Sequence, residues 1–394
     1  MATATVQSAP MTSMQGIAIP AQSVNPDAFK ALTRRHTQQE GTRAYDSTTA
    51  PAGDVFLLRK SDILAGITIR FTGKLVVGAG ATAVTTARWP YDFLKAVRFT
   101  ANGASNLINV SGLKLKIRDV MKHGDLTDRG VTQTVAGQPR SQGTLARATE
   151  SWGVGSRTTG IAPGTYDVEL EWFVPVAEDT KDLTGAIFLA TSSSDLTLSV
   201  DYETPANLFS ATGGTVALAG AFAVTSHKFS IPVGGDGQIV VPNLNAFHSL
   251  IQSSYTALGT GENEIPIVGQ GAGKALLRLF YQHYNGAGTT AAPLAMTAAN
   301  FGVQAWRYAT NETPDQWIDG TQLRHAMERN YNSDVGGLWG VGCHEFASEN
   351  TFRDVVDLGT TSELRLVSNI MSSVTLASPR VEYVLETVYG AGGA

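Results

Sequence analysis

A single cysteine, Cys343, in 394 residues excludes an intrachain disulfide. The fold therefore does not depend on an oxidising compartment, and cytoplasmic synthesis is the expectation. Charge is scarce too: Asp, Glu, Lys and Arg make up 16% of the chain, against about 25% in an ordinary globular protein. No run of roughly 18 apolar residues occurs, so no segment is expected to span a membrane as a helix. The charged start and apolar stretch of a signal peptide are also missing, and none is expected. Basic residues do not dominate: 29 Lys and Arg stand against 34 Asp and Glu, a net charge of −5. A broad sequence-independent nucleic-acid surface needs concentrated positive charge, so that class is excluded, and direct sequence-specific nucleic-acid binding is not expected.

Catalytic patterns are equally scarce. Gly269-Gln270-Gly271-Ala272-Gly273-Lys274 resembles a phosphate loop, but Val268 and Ala275 stand where that motif needs Gly and Ser or Thr. A turn leading into a strand from Ala275 is expected instead. Gly78-Ala79-Gly80 follows a strand, yet Thr82 to Pro90 is no crossover helix, so a hairpin turn replaces the dinucleotide reading. Cys343-His344-Glu345 places a thiol beside an imidazole, but neighbours in a strand point to opposite faces and cannot work together. Cys343 is expected to be buried and inert. The seven histidines show no i,i+4 pair or other local zinc spacing. Glu169 and Glu171 share a strand face, as a glycosidase pair could, but that face is the polar one and reads as solvated surface. No catalytic residue, cofactor site or metal site is expected, and the chain does not read as an enzyme.

What is present is alternation. Ile67, Ile69 and Phe71 interleave with Thr68, Arg70 and Thr72, and Tyr166, Val168, Leu170 and Trp172 interleave with Asp167, Glu169 and Glu171. Leu196, Leu198, Val200 and Tyr202 repeat the pattern. Period two marks antiparallel strands packed on one face. Further strands are expected over 224–231, 275–284, 303–308, 364–367 and 381–389, with turns at Asp236-Gly237 and Asn285-Gly286.

Helices are few. Asn25-Pro26-Asp27 is an N-cap followed by Pro at the first helical position. The helix it opens places Phe29 and Leu32 on one face, and Lys30, Arg34 and Arg35 make the rest basic. These three basic residues are either solvated or face an anionic partner, lipid or nucleic acid, which makes them a candidate membrane-facing group. A second helix is expected over 113–123, stopped by Gly124, and a third from a capping box at Thr313-Pro314-Asp315-Gln316 to about Asn330.

A chain of this length exceeds one core of roughly 250–300 residues, so two domains are expected. Residues 1–24 lack a core pattern of their own, and the lapse into Thr-Pro, Gly-Gly and Ala-Gly between Glu203 and Ala221 marks a junction. The expected division is an arm and helix over 1–45, a first unit over 46–210 and a second over 211–394. Each unit carries many short strands and one inserted helix. The fold class is mainly all-β, two sandwiches or jelly rolls in tandem.

Two stretches carry a family resemblance. Trp172-Phe173-Val174-Pro175-Val176-Ala177, followed by Asp182-Leu183-Thr184-Gly185-Ala186-Ile187, resembles the first jelly roll of the tectivirus major capsid protein. Pro232-Val233-Gly234-Gly235-Asp236-Gly237-Gln238-Ile239 resembles the start of its second. Ser111-Gly112 before the 113–123 helix, and the placement of the Thr313 helix, agree with it. The resemblance implies two tandem eight-stranded jelly rolls, a double jelly roll, with a few inserted helices and an N-terminal arm. It implies homotrimers of pseudo-hexagonal outline tiling the icosahedral shell of a virion over an internal membrane. The partners it implies are other trimers, minor capsid and vertex proteins, and inner-membrane lipid. The competing reading of the residues is a tandem β-sandwich carbohydrate-binding protein, with Trp89, Trp152 and Trp339 as exposed sugar-stacking candidates.

Overall fold

The computed structural model describes residues 22–49, 52–80, 82–101, 106–124, 130–133, 161, 163–179, 183–189, 196–235, 237–242, 244, 246–267, 273–308, 313–347, 356–358 and 364–390. Residues 1–21, Trp152, Asp182, Asp236 and residues 268–272 lie outside them.

Sixteen principal strands build two units. In the first unit they are β1 (Arg35–Asp46), β2 (Gly53–Leu57), β3 (Ile63–Val77), β4 (Leu94–Thr100), β5 (Ile108–Val110), β6 (Gly164–Pro175), β7 (Thr197–Tyr202) and β8 (Val216–Phe229). They pair in two sheets, β1-β8-β3-β6 and β2-β7-β4-β5. In the second unit they are β9 (Ala246–Tyr255), β10 (Gly261–Ile267), β11 (Lys274–Asn285), β12 (Phe301–Tyr308), β13 (Asp315–Trp317), β14 (Val341–Glu345), β15 (Leu364–Ile370) and β16 (Arg380–Gly390). The sheets repeat one unit later as β9-β16-β11-β14 and β10-β15-β12-β13. This winding, with the last strand inserted between the first and third, is a jelly roll, and the chain is a double jelly roll. In each unit a helix follows the fifth strand: α2 (Gly112–His123) after β5, and α3 (Gly320–Tyr331) with the short α4 (Val335–Trp339) after β13, both counting α1 (Pro26–Leu32) first.

The expected alternation holds: along β6, Tyr166, Val168, Leu170 and Trp172 are buried while Glu171 is exposed. Trp172 is fully buried and its Nε1 donates to Tyr91 O at 3.1 Å. Phe222 packs tilted against it, and Tyr45, Phe71, Phe93, Tyr202 and Phe222 pack among themselves edge-on, tilted and, for Tyr202 on Phe222, stacked.

Three expectations need adjustment. Arg35–Asp46, assigned to the arm and helix, is the edge strand β1, antiparallel to β8. Val216–Phe229, assigned to the second unit, pairs along its whole length with β3 of the first. Thr313-Pro314 does not open a helix: Asp315–Trp317 pairs with Gln304–Trp306, and the indole of Trp306 donates to Asp315 Oδ2. Sheet pairing outweighs the local cap, and α3 starts later, at Asp319, whose carboxylate accepts from Gln322 N at 2.9 Å.

The two units are not separate beads. Ile108 and Asn109 of β5 pair in parallel with Leu250 and Ile251 of β9. One ten-stranded sheet therefore runs through both units.

Candidate functional site

The most elaborate chemistry in the chain lies where the units meet. Leu113-Lys114-Leu115-Lys116-Ile117-Arg118 could alternate as a strand, but it forms helix α2, buried from Gly112 to Met121, cations included. Gly112 admits this close seating: a Cβ there would stand 2.2 Å from Tyr91 O and 2.7 Å from Trp172 Nε1. The Asp92 carboxylate accepts the Leu113 N–H at 3.3 Å, using the exposed donors of the helix start.

A buried charge normally survives only when paired and hydrogen-bonded. Here most of the partners come from the second unit, with Glu178 of the first joining them. Arg118 donates Nε and Nη2 to Glu386 Oε1 at 3.0 and 2.8 Å, and Nη2 also reaches Glu178 O at 2.9 Å. Arg278 of β11 donates to the other oxygen of Glu386 at 2.7 Å and to Glu345 at 2.6 Å. His248 bridges the units, with Nε2 3.0 Å from Glu386 and Nδ1 2.9 Å from Pro175 O. Lys122 pairs with Glu178. One turn earlier, Lys114 meets Gln282, Glu382 at 3.5 Å, and the face of Tyr284.

This network sets the protonation states. Burial alone would raise Glu386, but Arg118 and Arg278 hold it well below the usual carboxylate range. Burial works against ionisation of Arg278 as well, and its carboxylate neighbours, Glu386 and Glu345 first, raise it well above its ordinary value. Burial pushes Glu345 up, with Arg278 opposing. Asp92 is pushed up to about 6 by burial and by Glu382. The seam is thus an ionic lock between two β-units, and its charges are consumed by each other.

The residues singled out from sequence fall elsewhere. Lys30 lies on α1, and Arg34 and Arg35 follow its C-cap Thr33; all three are exposed, as is Leu32 at 52%. Asn25 caps α1 through its side chain, which accepts from Ala28 N at 3.1 Å. Phe29 anchors the helix in a small core with Ile63, Ala65, Ala177, Leu183, Ala186 and Val240. Hydrogen bonds from Arg34 N to Ser230 Oγ and from Thr33 Oγ1 to Ser230 O fix the group at the end of the sandwich where β1 begins and β8 ends.

Cys343 and Glu345 share one face of β14, and both meet the Tyr331 hydroxyl, at 3.2 and 2.6 Å. His344 points away and stacks on Tyr281. Burial pushes the Cys343 thiol up, away from the nucleophilic thiolate. Glu169 pairs with Arg70 across the β3–β6 ladder. Trp89 and Trp339 are each 3% exposed, so neither can stack on a sugar. Among the described residues no group of three or more His, Cys, Asp or Glu could hold a metal ion, and no helix is long and apolar enough to cross a membrane. The seam itself escaped the sequence reading. Its one local signal was the alternation of Lys114, Lys116 and Arg118 with apolar residues along the first half of a helix.

Two jelly rolls fused through a shared sheet and an ionic seam, each with its helix after the fifth strand, make the chain a double jelly roll. Solved structures share this fold. The chain in the crystal structure of the STIV MCP aligns with a TM-score of 0.63 at 14% identity, over 90% of this chain and 97% of that one. A chain in the atomic structure of Sulfolobus turreted icosahedral virus gives 0.60 at 14% identity, over 91% of each. The major capsid protein P2 of bacteriophage PM2 gives 0.50 at 12%, over 92% of this chain and all of that one. No curated protein matches the chain in sequence. The family described as P3 major capsid protein N-terminal matches residues 2–229, more than half of the chain. The protein belongs to that family: it is a major capsid protein, a component of the virion shell.

Proposed function

We propose that three copies close into a capsomer of pseudo-hexagonal outline and that such capsomers tile an icosahedral shell over an internal membrane. The observation that carries this reading is the repeat of one sheet topology within one rigid chain, so each copy brings two similar wedges and three bring six. The two wedges divide between residues 230 and 245, after β8 and before β9. The role is structural, with no reaction catalysed, and minor capsid and vertex proteins complete the shell. Native mass spectrometry of the purified chain tests it: three times 41.6 kDa, about 125 kDa, with hexagonal outlines in negative stain, is expected. A stable monomer overturns it.

Within this reading Lys30, Arg34 and Arg35 face the inner membrane. Their exposure beside Leu32 at one end of the sandwich supports the assignment. Each basic residue near anionic lipid contributes about 1 kcal/mol, so replacing all three with Glu removes about 3 kcal/mol, roughly a hundredfold in partitioning. Flotation with vesicles containing anionic lipid reads this directly, and equal binding by the wild type and the variant refutes it.

A further inference from the structure

We propose that Lys114 and Gln282 join through an isopeptide bond, formed once within the folded chain with release of ammonia, so that helix α2 of the first unit is tied covalently to β11 of the second. The step is a single self-modification and not turnover, and it needs only residues of one chain.

The seam supplies the reacting pair. Its other cations meet carboxylates: Arg118 meets Glu386, Lys122 meets Glu178, and Arg278 meets Glu345 and Glu386. Lys114 instead donates to a carboxamide oxygen, Gln282 Oε1, with the Glu382 carboxylate farther off at 3.5 Å. Lys114 is 1% exposed and Gln282 is fully buried. Both ends of the amide are held, since Nε2 donates to Trp339 O at 2.6 Å and Oε1 also accepts the Tyr284 hydroxyl at 3.2 Å. Fixing an amine against an acyl group in a dry site removes much of the entropic cost of their encounter. The Tyr284 hydroxyl points where negative charge develops on Oε1, as an oxyanion-hole donor does. Burial pushes the Lys114 ammonium down, toward the neutral amine that can attack. Burial alone would raise Glu382, but Lys114 and Arg380 hold it below its ordinary value, so it stays ionised and ready to take a proton. Asp92, the other carboxyl whose charge acts on Lys114, is the one pushed up.

Glu382 takes one proton from the Lys114 ammonium. The freed lone pair attacks Cδ of Gln282, and the carbonyl electrons move onto Oε1 beside the Tyr284 hydroxyl. Glu382 returns its proton to Nε2, the Cδ–Nε2 bond breaks, and ammonia leaves with that electron pair. The attacking nitrogen then gives up its extra proton, which the ammonia carries away as ammonium. One amide replaces another, so nothing is oxidised or reduced. Another buried lysine shows what sets Lys114 apart. Lys228 also meets a glutamine, Gln38 Oε1 at 2.7 Å, but Arg59 O, Ser61 Oγ and Glu40 surround it at 2.8, 3.3 and 3.2 Å. Four acceptors suit a lasting ammonium with its three donors, and Lys228 serves as the control within the chain.

Mass spectrometry of the purified full-length chain tests this. The denatured wild type is expected to weigh one ammonia less than its sequence requires. Its tryptic digest should contain residues 99–116 joined to residues 279–307, because a modified Lys114 no longer directs cleavage. Lys114→Arg and Gln282→Met should keep the full mass. Glu382→Gln and Tyr284→Phe should each slow the loss of ammonia in freshly made protein by roughly a hundredfold. Full sequence mass and two unjoined peptides in the folded wild type, after prolonged incubation, overturn the bond. A deficit confined to one unbranched peptide overturns it too, since Asn102-Gly103 and Asn285-Gly286 lose ammonia when they close to a succinimide. So does a deficit that joins Lys228 to Gln38. The wild type alone carries the decision, so a variant that fails to fold leaves the test intact.

Discussion

Replacing Glu386 with Gln would show how far the ionic seam holds the two units together. The side chain is fully buried, and its oxygens accept from Arg118 twice, from His248 and from Arg278, at 2.7 to 3.0 Å. Gln keeps the shape and one acceptor but removes the charge and turns an N–H toward a guanidinium. Breaking a buried ion pair by removing one partner costs about 3–5 kcal/mol, because the other charge stays buried. Arg278 retains Glu345 and Glu178, whereas Arg118 keeps only the Glu178 carbonyl among the described residues, so the lower end, about 3 kcal/mol, is expected. The pH dependence follows from the lowered carboxyl. Its contribution is fully present above the unfolded value, near 4.5, and is lost as pH falls through the lowered folded value. Glu345, pushed up by burial, works in the opposite sense, but both proteins carry it and the difference between them isolates Glu386. Urea unfolding followed by tryptophan fluorescence at one fixed protein concentration, from pH 7 to pH 3, provides the measurement, since oligomers gain stability by mass action. The gap between the proteins should be widest at neutral pH and narrow in acid. A loss below about 1 kcal/mol at pH 7, or a gap that does not change with pH, would refute the lock.

Two other outcomes follow from packing. Gly112→Ala forces a methyl to within 2.2 Å of the Tyr91 carbonyl, so α2 must move off Trp172. Overpacking of this kind costs about 1–3 kcal/mol, read as a lowered urea midpoint, and an unchanged midpoint means the seat of α2 is looser than its contacts indicate. Cys343, buried and with its thiol pushed up, should react with a disulfide reagent only as fast as the protein opens, so its rate should rise in step with urea-induced unfolding. Stoichiometric labelling of the native protein within seconds would contradict that.

The sheets were legible where one face is apolar and the other polar. Tyr166 to Trp172 and Leu196 to Tyr202 announce their strands because each buries every second residue. Arg35–Asp46 hid because only Tyr45 along it is buried, so an edge strand with two polar faces read as arm. The junction was drawn too early because Thr204-Pro205 and Gly213-Gly214 break the chain between β7 and β8. Such breaks look alike inside a unit and between units. What decides is the return of β8 to lie between β1 and β3, a pairing across more than a hundred residues that leaves no local trace. The same holds for the seam: Arg118 and Glu386 are 268 positions apart, and neither neighbourhood names the other.

Helix α2 also explains why two units of one chain act as a single block. Its Lys114, Lys116 and Arg118 are buried, and Lys114 and Arg118 find their carboxylates, Glu382 and Glu386, on β16 of the second unit. Lys116 keeps the face of Tyr91 in its own unit, but a first unit folded alone would hold Lys114 and Arg118 against an absent wall. Burying them there without partners would cost several kcal/mol each, and exposing them would strip the apolar cover from Leu115 and Ile117. The first unit is therefore complete only when the second is in place, and the continuous sheet through β5 and β9 fixes the angle at which it docks. Ionic pairs fix register more strictly than apolar contacts because a shift of one residue strands a charge. A shell built from wedges needs that strictness more than it needs a large interface, since an angular error inside each chain would be repeated at every position of the shell.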